Sequence, residues 1–341
     1  MIIDVHAHGL SEEFVIEMAN APNLGLPVEV AGPHQYRVAG YGTLDPLIYD
    51  LGGRLESLRR RDIALQLVGP PPPLVSNGGR AASVDLARRI NRSTEWMVAN
   101  GEGLIGGLAV APLGEPERAA DELRRAVGEH GFIGVAMSTG AGAYNLDDPA
   151  FEPLFSVIEE LDLFVFMHST STALSATQTD YTLRTLVGWP TETTIAIARM
   201  VFAGVFERHP RLKLVLSHGG GTLANLIGRI DLGWSAPQYE ANPACRANIS
   251  RAPSTYIRQL FFDTVVADAG VLDFVIATFG ADRVLFGTDF PYEIGDAEGK
   301  LALPGIMPRD AADQRAILGG NASRLLGRYL PAHLKQIHSK S

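Results

Sequence analysis

The sequence predicts a (β/α)8 barrel carrying a small β-hairpin insertion after its first strand. Two observations predict it. Eight short apolar runs recur along the 341 residues, each of a length suited to a strand buried on both faces, and helical patterns separate them. No Gly-rich phosphate turn follows the first run, as an open doubly wound sheet binding a nucleotide would normally carry. Eight strand–helix units in order fit a closed parallel barrel.

The runs are Ile2–Val5, Ala64–Val68, Leu104–Val110, Phe132–Met137, Leu163–Met167, Leu212–Leu216, Leu260–Val265 and Arg283–Phe286. Helical patterns lie at Gly53–Arg61, Val84–Asn100, Glu115–Gly128, Asp148–Glu160, Glu192–Phe206, Thr222–Asp231 and Asp268–Phe279. A last helical pair, Asp310–Leu318 and Ala322–Arg328, closes the chain, with Asn321 placed as an N-cap. Between Gly9 and Leu51 the pattern changes to turn residues and two short alternating runs, Pro27–Val30 and Gln35–Val38, around Gly32 and Pro33. This reads as a hairpin in the first βα loop, where it can lid the catalytic face of a barrel. Pro70–Pro73 stiffens the loop after strand two on that same face and cannot continue a helix. A single domain over residues 1–341, with residues 10–51 as the insertion, follows.

At 46% hydrophobic and 20% charged the chain has enough apolar material to fold. A net charge of −9 argues against a nucleic-acid binder or a protein drawn to anionic membranes, since both need clustered Lys and Arg. A small anionic substrate remains compatible, because one or two arginines dominate inside a pocket. The lone Cys245 excludes an internal disulfide and a thiolate metal cluster, and reads as a buried cytosolic thiol. The N-terminus opens on a strand with no basic or long apolar leader, and no run of 18 apolar residues occurs. A cytoplasmic location is expected.

Five polar side chains fall at the carboxyl ends of predicted strands, the end where barrel enzymes place their sites. His6 and His8 sit two apart on strand one and so share a face. His168 follows strand five, His218 strand six and Asp289 strand eight. Converging there, four imidazoles and a carboxylate would be costly to bury without a cation. Imidazole and carboxylate without thiolate suit a borderline divalent ion, Zn2+ first and Mn2+ second. His34, His130, His209, His333 and His338 lie in loops or helix ends and read as solvated.

The same pattern, His-x-His on strand one, His after strands five and six, Asp after strand eight, resembles the amidohydrolase superfamily. Ser217-His218-Gly219-Gly220-Gly221, Leu226–Asp231, Phe286–Pro291, Pro190–Thr193, Gly204–Arg208 and Gly319–Ala322 narrow the resemblance to its decarboxylase-type (amidohydrolase-2) branch. The resemblance implies metal ligation by His6, His8, His168 and Asp289, with His218 left off the metal as the acid–base residue beside the water the metal activates. It further implies that Arg229, eleven residues beyond His218 and ~10 Å along its helix, enters the pocket of a neighbouring subunit. Arg37 in the hairpin is the second cation for a carboxylate. Trp234, Pro237 and Tyr239, large groups of the kind enriched at interfaces, follow that helix, and a homodimer or higher homo-oligomer is expected. In the member of the branch that the sequence most resembles, an aromatic group follows the strand-five histidine, whereas Ser169-Thr170-Ser171-Thr172 stands here, so the pocket differs. The expected activity is metal-dependent, non-oxidative decarboxylation of an unsaturated or aromatic carboxylic acid. The alternative is a metal-dependent hydrolase or hydratase acting on a lactone, amide or unsaturated acid at the same site.

Overall fold

The computed structural model describes residues 1–21, 24–39, 41–75, 83–141, 144–170, 180–236 and 243–338. Eight parallel strands pair in chain order: strand one Ile2–His8, two Ile63–Gly69, three Ile105–Val110, four Gly134–Ser138, five Phe164–His168, six Lys213–Leu216, seven Phe261–Asp263 and eight Val284–Leu285. All eight predicted runs are strands. The last strand returns to the first through three backbone bonds, Val5 N to Phe286 O at 3.0 Å, His8 N to Phe290 O at 2.8 Å and Asp289 N to His6 O at 2.8 Å. These nearly close the barrel.

Two apolar layers hold it. Val5, Leu67, Phe166 and Val215 belong to one cluster, which continues beneath the insertion. Ala7, Met167, Leu216 and Phe286 belong to the other, packed against the surrounding helices. Strand one changes parity between them, because its pairing with strand two shifts register between Asp4 and Ala7. This bulge lets His6 follow Val5 into the interior instead of alternating away from it, the usual effect of a bulge beside a site.

The helices keep the expected order with local differences. Val84–Asn100 is capped by Ser83, which accepts from the Leu86 amide. The predicted Glu192–Phe206 helix runs instead from Trp189 to Phe202 and breaks where Gly204 takes a left-handed φ of 77°. Asn321 is not an N-cap. It has helical dihedrals and sends its side-chain amide to the Ala281 and Val284 carbonyls, both at 2.8 Å.

The insertion is richer than a hairpin. It holds a three-stranded antiparallel sheet, Val28–Gly32, Gln35–Val38 and Gly42–Thr43, and a helix Glu12–Asn20 capped by Ser11. After strand two, Pro72–Val75 forms one helical turn, since proline is excluded from helix interiors but not from the first turn. Two expectations about burial also change, Cys245 having been expected buried and His209 solvated. Cys245 is half-buried, and His209 is buried between Glu152 at 2.9 Å and Glu159 at 3.3 Å. Among the described residues, no helix is long and apolar enough to cross a membrane.

Candidate metal centre

His6, His8, His168 and Asp289 meet at the carboxyl end of the barrel, all buried, with one ligand-capable atom from each inside a mutual separation of 4.8 Å. His6 Nε2 lies 3.1 Å and His8 Nε2 3.0 Å from Asp289 Oδ1, and the two imidazole nitrogens are 3.2 Å apart. Donors about 2.1 Å from a common ion would stand at such separations.

The outer nitrogens explain why the inner ones are free. His6 Nδ1 bonds Asp263 Oδ2 at 2.6 Å, His8 Nδ1 the Pro70 carbonyl at 3.0 Å and His168 Nδ1 the Ser169 carbonyl at 2.7 Å. Acceptors of this kind hold a proton on Nδ1; in neutral His8 and His168 this leaves Nε2 as a lone pair aimed inward, and His6 offers the same lone pair once its second proton is lost. His168 Nε2 is buried with no hydrogen-bond partner, a costly state for a polar atom unless a cation takes it up. The donor set, three imidazoles and a carboxylate with no thiolate, fits a divalent ion.

Electrostatics agree with the geometry. Burial pushes His8 and His168 below the ordinary histidine range, keeping both neutral at pH 7. Burial acts the same way on His6, but the Asp289 and Asp263 carboxylates outweigh it and lift His6 to about 10. Burial alone would raise Asp289, yet the His6 imidazolium overrides it and holds the carboxyl well below its usual range. An ion must therefore displace the His6 proton. Below pH 10 each unit of added pH removes a tenfold excess of competing protons, so apparent metal affinity should rise about tenfold per pH unit between pH 6 and 8. Chelator competition at several pH values measures this; a flat profile would contradict the proton-for-metal exchange. Dialysis near pH 4 should empty the site.

Asp263 is the group that reading the sequence missed. It is fully buried on strand seven, and while Oδ2 holds His6, Oδ1 accepts from the Gly219 amide at 2.9 Å and the Val265 amide at 3.1 Å. A lone carboxylate inside the apolar run Leu260–Val265 was its only signal. Gly287 makes the approach possible, since a Cβ there would stand 3.0 Å from His6 Cβ and 3.2 Å from Asp263 Cβ.

His218 stands beside the group and outside it. Its Nε2 is 3.6 Å from Asp289 Oδ2, too far for a hydrogen bond, and its ring is 4.8 Å from that of His168. Its side chain keeps 18% exposure. His218 and Asp289 both adopt left-handed backbone, φ 55° and 57°, a strained choice that clusters at functional sites.

The two arginines lie elsewhere. Arg229 is exposed on the helix Leu223–Ser235 and has no ion-pair partner among the described residues. Arg37 is exposed on a strand whose neighbours Tyr36 and Val38 are buried. Trp234 is partly buried, whereas Pro237, Tyr239, Ser171 and Thr172 lie outside the described residues.

A cavity of about 280 Å3 opens at Asp289. Trp189 and Tyr292 line it next to the metal group, their rings 5.5 Å from His168 and 5.4 Å from His8. Leu26, Val38, Tyr41 and Leu44 of the insertion form its opposite wall.

Comparisons with known proteins point to one family. A family model described as Amidohydrolase matches residues 3–328. The 2-amino-3-carboxymuconate-6-semialdehyde decarboxylase of Dictyostelium discoideum is 32% identical over 286 residues, 83% of this chain and 78% of that one. The gamma-resorcylate decarboxylase of Polaromonas sp. strain JS666 is 30% identical over 280 residues, 76% of this chain and 81% of that one. Among solved structures, 5-carboxyvanillate decarboxylase of Novosphingobium aromaticivorans, complexed with manganese and 4-hydroxy-3-methoxy-5-nitrobenzoic acid, superposes with a TM-score of 0.80 at 18% identity, covering 96% of each chain. The chain belongs to the amidohydrolase family, in its decarboxylase-type branch.

Proposed function

We propose that this carboxy-lyase is a metal-dependent, non-oxidative decarboxylase of an aromatic or unsaturated carboxylic acid. The observation that carries the reading is the convergence of three imidazoles, each held at Nδ1, and Asp289 on one point, with His218 standing beside it. In this reading His6, His8, His168 and Asp289 hold the ion, Zn2+ or Mn2+. When bound, the ion polarises a substrate oxygen and lets negative charge develop during carbon–carbon cleavage. His218 Nε2 delivers a proton to the carbon bearing the carboxylate. The electrons of the breaking bond then stay with that carbon, and carbon dioxide leaves without a redox change. The exposed edge of His218 allows it to recover a proton from solvent.

Carbon dioxide release from a panel of hydroxybenzoates and muconate-type acids tests this. A product that gains water and keeps its carboxylate would favour the hydrolase or hydratase reading instead.

The substrate carboxylate needs a cation, and we assign that role to Arg229 of a second subunit, with Arg37, exposed on the insertion strand next to the cavity-lining Val38, as a further contributor. The exposure of Arg229, its lack of an ion-pair partner among the described residues and the 64% exposure of nearby Leu232 support a homodimer in which the subunits complete each other's pockets. Arg229→Ala and His218→Ala chains should each be nearly inactive alone. In mixed dimers one of the two pockets holds both native residues, so activity should partly return. No rescue in verified heterodimers would return Arg229 to an inert surface. The lone half-buried Cys245 and the lack of an apolar span among the described residues accord with a cytoplasmic location.

A further inference from the structure

The cavity at Asp289 is divided by chemistry. Its polar end is the Asp289 carboxylate. Trp189 and Tyr292 form an aromatic collar, each ring against one histidine of the metal group. Beyond the collar, the side chains of Leu26, Val38 and Leu44 present only carbon, while Tyr41 of the same insertion and Thr182 and Thr185 bring the cavity's other hydroxyls. Leu26, Val38 and Leu44 are 6%, 2% and 8% exposed and are packed into the cluster under the insertion. A wall so fixed is preformed, as small-molecule sites usually are. None of these three side chains can turn a polar group toward a ligand.

A ligand filling this space therefore needs a polar head, a flat middle and an apolar far end. A carboxylate, amide or hydroxyl placed against Leu26, Val38 and Leu44 would lose its water and gain no partner from these three side chains. We propose that the insertion side of the cavity is an apolar subsite and that the substrate class is an alkyl-substituted aromatic acid, the alkyl group lying opposite the reacting carbon. The inference rests on the decarboxylase reading for the acid and on the wall alone for the alkyl group.

Binding to the metal-loaded enzyme tests the wall without turnover. The probes are resorcinol and its 5-methyl, 5-propyl and 5-pentyl derivatives, with 3,5-dihydroxybenzoate as the polar counterpart, followed by calorimetry. The dissociation constant should fall about fourfold per added carbon until the subsite is filled, and 3,5-dihydroxybenzoate should bind more weakly than resorcinol. Leu44→Ser should flatten the series. Val38→Thr, close to isosteric at a buried position, should flatten it in part and serves if the serine variant fails to fold.

Equal affinity across the series, tighter binding of the carboxylate probe, or no binding by any member would overturn the subsite. Carbon dioxide release from 2,6-dihydroxybenzoate and its 4-alkyl derivatives separates the two readings. Release with no chain-length preference in binding leaves the decarboxylase and removes the subsite. Chain-length preference without release from any acid leaves the subsite and removes the decarboxylase.

Discussion

His168→Ala should lose its metal and its activity together, whereas His218→Ala should keep the metal and lose turnover by about 10²–10⁴-fold, the usual contribution of a positioned acid–base group. The contrast comes from the two rings' surroundings. His168 is buried, its outer nitrogen is tied to the Ser169 carbonyl, and its inner nitrogen has no other partner. Removing it takes away one of four donors and leaves the rest insufficient. His218 Nε2 is nearest the oxygen of Asp289 that faces away from His6 and His8, so its loss leaves the donor set whole. Elemental analysis of the purified variants, beside turnover, decides the assignment. Metal loss from His218→Ala would make His218 a ligand.

Asp263→Asn is expected to weaken metal binding by about 10–100-fold, the range seen when the partner of a ligating histidine is changed. It should also slow turnover in enzyme saturated with metal. An asparagine has one oxygen where the carboxylate has two. If that oxygen faces His6, the amide NH2 is turned onto the Gly219 and Val265 N–H groups. If it faces them, the NH2 meets His6 Nδ1 and favours the tautomer whose proton sits on the metal side. In this reading Asp263 is a positioning residue that sets His6 and the backbone next to His218 in one register. Chelator competition reads the first effect; kcat against KM under saturating metal reads the second. Wild-type affinity in a folded Asp263→Asn protein would reduce Asp263 to a structural role.

The barrel was legible because its strands are continuous apolar runs. The polar residues at their ends, His6, His8, His168, His218 and Asp289, come together at one end of the barrel as that pattern predicts. Asp263 could not be read this way, because what marks it is the bond to His6, 257 residues away. The bulge in strand one was hidden for a similar reason: it exists only in the pairing with strand two. His209 read as solvated because its partners, Glu152 and Glu159, come from a different helix. The helix Glu12–Asn20 did leave a local trace, Ser11 as cap and Phe14, Val15 and Met18 on one buried face. Its apolar spacing was short and the surrounding turn residues outweighed it.

The seam where the barrel closes has a thermodynamic meaning. The other neighbouring strands share a ladder, but strands eight and one meet through three backbone bonds and a single bridge, Ala7 with Phe290. His6 and His8 flank that seam on one side and Asp289 on the other. An ion gripping all three would cross-link the first and last strands of the fold, so loss of metal would loosen the barrel at its thinnest joint as well as silence its chemistry. By mass action, free metal at a hundred times its dissociation constant would add about 2.7 kcal/mol to the unfolding free energy. Heat resistance would then track the ion supply, and an apoprotein would be the form most exposed to unfolding and proteolysis.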